Sequence, residues 1–103
     1  MNKIGHYVKF RTQPGRRDAL VKILLQAAER TQDVPGCELY IVNTTPREDD
    51  IVWVTEIWAS AADHTASLSA PGAKELIGQA LPLLAGPPER IDLHPAGGTG
   101  LHT

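Results

Sequence analysis

Glu56, Trp58, His64 and His6 are the residues of this chain whose types could do chemistry. Glu56 and Trp58 fall in Ile51–Trp58, a run otherwise built of apolar and β-branched residues. Side chains two apart on a strand share a face, so Val52, Val54, Glu56 and Trp58 point one way. A carboxyl on such a face must be paired, hydrogen-bonded or protonated. One reading is a structural ion pair to an arginine or a helix end; the other is an acid–base or substrate-binding group. Trp58 serves either as core packing or as a stacking surface for a planar ring. His64 follows in the next element, and an imidazole with an ordinary pKa near ~6.5 is a natural proton acceptor. Its bland reading is a solvated or capping histidine. His6 stands on the alternating face Ile4, His6, Val8, Phe10, as a satisfied core histidine or as part of a pocket wall.

Other chemistries find little support. The histidines, at 6, 64, 94 and 102, show no close spacing to Cys or Asp, so no metal site is expected. Gly97-Gly98 has no helix after it, which argues against a nucleotide-cradling loop. No serine elbow is present. The single cysteine, Cys37, excludes an internal disulfide and reads as a small buried hydrophobe. Any catalysis is therefore expected to use acid–base groups, aromatic packing and the substrate's own reactivity, with no cofactor.

The elements that must position these residues follow from hydrophobic periodicity. Lys3 to Thr12 alternates with period two and reads as a strand. After the Pro14-Gly15 turn, Leu20, Ile23, Leu24, Ala27, Ala28 and Thr31 mark one side of a helix from about Arg16 to Thr31. Gln26, Glu29 and Arg30 fall on its solvated side. Cys37 to Thr44 and Ile51 to Trp58 read as strands joined by a polar hairpin connection containing Pro46. Ser60-Ala61-Ala62-Asp63 has capping-box character, with an acid placed to reach back to free amides, and opens a helix running through Leu68. Pro71-Gly72 interrupts it, and a second piece runs from Ala73 to about Leu84, with Pro82 near its end. A short strand around Ile91 and Leu93 closes the pattern. Residues 1–95 thus form one domain, and 96–103 a Gly-rich tail.

The order β-α-β-β-α-β with right-handed crossovers predicts a ferredoxin-like α+β fold, a four-stranded antiparallel sheet with the helices on one face. The third strand is apolar on both faces, whereas helices can cover only one. A second copy of the chain is the expected cover for the other, which makes a homodimer.

At 103 residues and a net charge of -2, the chain is one ordinary domain without the basic footprint of a nucleic-acid binder. No apolar run approaches the ~20 residues of a membrane span, and no apolar signal segment stands at the start. The expected setting is cytoplasmic.

The run Val54-Thr55-Glu56-Ile57-Trp58, followed by Ser60-Ala61-Ala62-Asp63-His64, resembles the signature of the antibiotic-biosynthesis monooxygenase family. In its quinol-monooxygenase-like members a strand ending Glu-x-Trp runs into a helix with a His six residues beyond the Trp. Pro14-Gly15 and Leu84-Ala85-Gly86-Pro87-Pro88 also fit, and the likeness covers about residues 4 to 95. The resemblance implies a dimeric α/β barrel with a pocket between each sheet and its helices. It also implies oxidation of a small aromatic substrate, a quinol or a polyketide-like anthrone, by O2 without metal or flavin. On it, His64, Trp58 and Glu56 are the expected catalytic group, and His6, Val8, Phe10, Val54 and Leu68 the expected substrate-binding walls.

The chain departs from the pattern in places. Haem-degrading members use an Asn, a Trp and a His where this chain has Val8, Ser67 and about Ile77, which argues against haem degradation. Anthrone oxygenases carry an Asn where Val54 stands, and quinol-type members often have a second His at the place of Gly72. A ligand-binding or regulatory dimer without chemistry, or a metabolite isomerase, are the alternatives these changes leave open.

Overall fold

The computed structural model describes residues 3–101. His102, counted above among the scattered histidines, and Thr103 at the end of the expected tail lie outside the described residues, as do Met1 and Asn2. The elements are β1 (Ile4–Arg11), α1 (Arg17–Thr31), β2 (Cys37–Thr44), β3 (Ile51–Trp58), α2 (Ala61–Leu68), α3 (Ala73–Ala80) and β4 (Glu89–Leu93). The strands form one antiparallel sheet in the order β2-β3-β1-β4. This is the ferredoxin-like α+β arrangement expected from the element order.

Register sorts the side chains. His6 stands opposite Glu56, Val8 opposite Val54 and Phe10 opposite Val52 across β1 and β3. Tyr40 and Val42 of β2 stand opposite Glu56 and Val54, and Arg90 and Asp92 of β4 opposite Val8 and His6. All of these share the face toward the helices. Leu20 and Leu24 of α1 pack there on Val52 and Val54 to form the core, with Val8, Phe10, Val42 and Leu84 against it. Burying each such aliphatic side chain contributes about 1.5–3 kcal/mol. The opposite face carries Tyr7, Ile41, Ile91 and Leu93, all exposed in the single chain.

The helix after Gly72 is shorter than its periodicity suggests. α3 ends at Ala80, and Leu81–Leu83 form a 3-10 turn. Pro82 is the cause, because it has no N–H to continue the α-helical ladder. The chain beyond is tied to the end of β1: Gln13 N donates to Leu83 O, and Ala85 N to Arg11 O, each at 2.8 Å. These bonds hold Leu84 over the core.

The start of α2 also differs in detail. Ser60 Oγ accepts from the Asp63 amide at 3.1 Å, as an N-cap should, but the Asp63 carboxylate takes the Ser60 hydroxyl at 3.0 Å. Gly36, at φ +89, packs against the Asp63 side chain and holds it there. Gly36 O also accepts from Ala59 N at 2.7 Å, which docks the loop before β2 onto the entry to α2. This contact sets where His64 begins its turn. None of the described helices is long and apolar enough to cross a membrane.

Candidate active site

A half-enclosed cavity of about 310 Å³ lies between the three helices and the sheet. It is at the small end of the range for small-molecule pockets, about 300–1,000 Å³. Its apolar walls come from α1 (Ile23, Leu24, Ala27), from α3 (Leu76, Ile77, Ala80), and from Phe10, Leu68 and Leu84. The apolar stripe of α1 that the sequence assigns to the core therefore does two tasks. Leu20 and Leu24 seal against the sheet, and Ile23 and Ala27 face the cavity.

The polar groups converge at the sheet. Glu56 is only 8% exposed and Trp58 is buried. Trp58 Nε1–H donates to Glu56 Oε1 at 2.9 Å. His64 Nε2 lies 3.8 Å from the same oxygen, too long for a hydrogen bond but close enough for charge interaction. The His64 ring tilts against Trp58, with centroids 5.3 Å apart. Ser67 Oγ donates to the His64 carbonyl at 2.6 Å, tying the turn that carries the imidazole. Burial lowers the pKa of His64 below its ordinary value; the Glu56 carboxylate opposes this, and His6 adds to it. The imidazole is therefore neutral at pH 7 and free to accept a proton.

Glu56, Trp58 and His64 all line the cavity, as do Phe10 and Leu68. The other three residues expected as walls stand elsewhere. Val54 is fully buried beneath α1, and Val8 packs against the same core. His6 sits one layer behind His64, with ring centroids 4.6 Å apart, and its Nδ1 is 2.9 Å from Asp92 Oδ1.

Among the cavity residues that escape the sequence reading are Tyr40 and Arg30. Tyr40 was legible only as one of a β-prone run, yet register with β3 sets it beside Glu56. Burial, and then the Glu56 carboxylate, push its phenol upward, so it stays protonated and can donate. Arg30, assigned above to the solvated side of α1, is half-buried and lines the cavity. Its long stem carries the guanidinium over to the backbone at Gly72. That glycine has φ +86, and any Cβ there would collide with Arg30. Burial pushes the Cys37 thiol up, which keeps it protonated and removes it as a nucleophile.

The arrangement can hold a small molecule between the helices beside the Glu56–Trp58 pair and take a proton from it at His64. The sequence profile of the family described as antibiotic biosynthesis monooxygenase matches residues 4–79. The chain belongs to this family. A crystal structure from Chloroflexus aurantiacus J-10-fl, of a protein named for the same family, is similar at 39% identity. It superposes with a TM-score of 0.88 over 98% of this chain and 100% of that one. A family-named protein from Caulobacter crescentus CB15 shares the fold at 23% identity and a TM-score of 0.86, covering 93% and 92% of the two chains. A Mycobacterium tuberculosis protein does so at 19% and 0.84, covering 94% and 97%. No curated protein matches the chain.

Proposed function

We propose that the protein is a cofactor-independent monooxygenase that oxidises a small aromatic quinol or polyketide-like anthrone with O2, acting as a cytoplasmic homodimer. The observation that carries this reading is the cavity-lining His64 beside the Glu56–Trp58 pair. Apolar walls from α1 and α3 favour a small apolar ring in the cavity.

The chemistry balances without an added reductant. His64 takes a proton from the activated methylene or phenol, leaving a carbanion or phenolate. Its electron-rich carbon reduces O2 and forms a C–O bond, giving a peroxide that recovers the proton from His64. Loss of the remaining C–H proton breaks the O–O bond. One oxygen stays as the new carbonyl and the other leaves as water, so a methylene and dioxygen become a ketone and water. Glu56 orients the tryptophan edge and meets a substrate hydroxyl, and Tyr40 offers a donor.

The homodimer reading rests on Tyr7, Ile41, Ile91 and Leu93, an apolar sheet face that the helices leave uncovered. Contiguous exposed apolar surface of this kind suits a second copy.

The test is O2 uptake by the purified protein with hydroquinones and anthrones, in chelated buffer without flavin. Uptake above autoxidation that is lost on heating supports the oxygenase. Val54 and Gly72, where the family resemblance implies an Asn and a His, favour a second reading, ligand binding without chemistry. Saturable binding of these compounds with no O2 consumption would select it.

A further inference from the structure

His6 is only 5% exposed, and its Nε2 has no hydrogen-bond partner among the described residues. Burying an unpaired polar atom costs stability, so its retention calls for a reason. The rest of the ring is firmly placed. Nδ1 faces Asp92 Oδ1 at 2.9 Å, and Arg90 Nε donates to the same carboxylate oxygen at 2.8 Å. Asp92 fixes the tautomer with the proton on Nδ1, which leaves Nε2 as a bare acceptor. His64 lies against the ring, with centroids 4.6 Å apart and planes tilted by 54°; the two rings are not hydrogen-bonded, so a transfer between them requires the His64 ring to turn an N–H toward Nε2. At the far end Asp92 is 65% exposed, on the edge strand β4.

We infer that His6 is a proton relay behind His64, one that receives the substrate's proton at Nε2 and exchanges its Nδ1 proton with solvent through Asp92. This rests on the oxygenase reading and adds a step to it. Reaction of a singlet carbanion with triplet O2 is slow, and a proton left on His64 would return to the substrate first. In the transfer an N–H bond of His64 breaks and one forms at Nε2 of His6; the His6 imidazolium is then held by the Asp92 carboxylate, which Arg90 aims. The reverse transfer returns the proton to the peroxide. The charged and titratable groups facing His64 are Glu56 from β3, His6 from β1, and Arg90 and Asp92 from β4. His6 is thus a positioning residue that acts through His64.

Two variants test the relay. Asp92→Asn alters an exposed side chain and leaves the core intact, and His6→Asn retains a donor toward Asp92 while removing the second nitrogen. Histidine 15N NMR titration of the free protein needs no turnover. The expected spectrum has His6 as the Nδ1–H tautomer, with the His64 titration moving in both variants. A His6 carrying its proton on Nε2, or a His64 titration indifferent to both substitutions, overturns the relay. With anthrone as substrate, both variants should lose at least about tenfold in kcat with KM little changed. Added imidazole should restore their rates and leave the native rate unaltered. A loss that imidazole does not restore marks a merely structural role and overturns the relay. Inactivity of the native protein toward anthrone and hydroquinones overturns the oxygenase reading instead, and the NMR titration then decides the histidine pair by itself.

Discussion

Trp58 Nε1–H and Glu56 Oε1 are joined by a 2.9 Å hydrogen bond between side chains two residues apart on one strand face. The buried carboxyl therefore has a partner from its own strand, in place of the arginine or helix end that a structural ion pair would need. Removing the donor strands the acceptor, whereas Glu56→Gln keeps an oxygen that can accept. Trp58→Phe should destabilise the fold by about 1–3 kcal/mol, beyond the effect of Glu56→Gln. Urea unfolding midpoints of both variants check this, and equal losses would mean that the bond contributes nothing.

His64 is the proton acceptor of the proposed reaction. Its replacement by Ala should lower kcat by about 10²–10⁴-fold, the range that positioned acid–base groups supply. Near-UV circular dichroism should stay native. Unchanged turnover would move the base elsewhere.

The lowered pKa of His64 has a consequence for stability. Burial is its main cause, helped by His6 and Arg90 and opposed by Glu56 and Asp92. The unfolded chain takes up a proton near pH ~6.5, and the folded chain only at lower pH. Between those points the unfolded state binds more protons, so stability rises with pH. The contribution is complete above the unfolded pKa and is lost as pH falls toward the folded one. Urea midpoints measured from pH 8 down to pH 5 should fall more steeply for the native protein than for His64→Gln. Parallel curves would remove His64 as the source.

Gly36 joins the loop before β2 to α2. At φ +89 a side chain is strained, and a Cβ would press on the Cβ and carboxyl of Asp63. Gly36→Ala should cost about 1–3 kcal/mol and shift the α2 entry that positions His64. The expected signature is a lower urea midpoint together with a raised KM. A variant as stable and active as the native chain would show that the loop adapts freely.

The uncovered sheet face makes its own prediction. Ile41→Lys with Ile91→Lys places charges among Tyr7, Ile41, Ile91 and Leu93 without touching the helix-side core. Sedimentation should show a dimer for the native chain and a folded monomer for the double variant. A native monomer would leave this face to another partner.

Much of the fold is legible in local pattern. Period-two alternation separates Glu56 and Trp58 from Thr55 and Ile57, and the Ser60 cap sets the first turn that brings His64 back over Trp58. These are short-range consequences of strand pleat and helix pitch; the trio itself was named on the resemblance of Glu56, Trp58 and His64 to the family signature. The end of α3 was less legible. Apolar spacing runs on to Leu84, and only the missing N–H of Pro82 and the bonds back to β1 decide where the helix stops.

Element types, their order, and the shared strand face of Glu56 and Trp58 were determined by the sequence itself. They depend on periodicities within a few residues. Tertiary structure alone decided that His6 meets Asp92, 86 residues away, and that Val8 and Val54 are core while Tyr40 and Arg30 reach the cavity. Those outcomes depend on strand register and on the reach of long side chains across packed elements. Both are set by the sum of many distant contacts, and no local spacing records that sum.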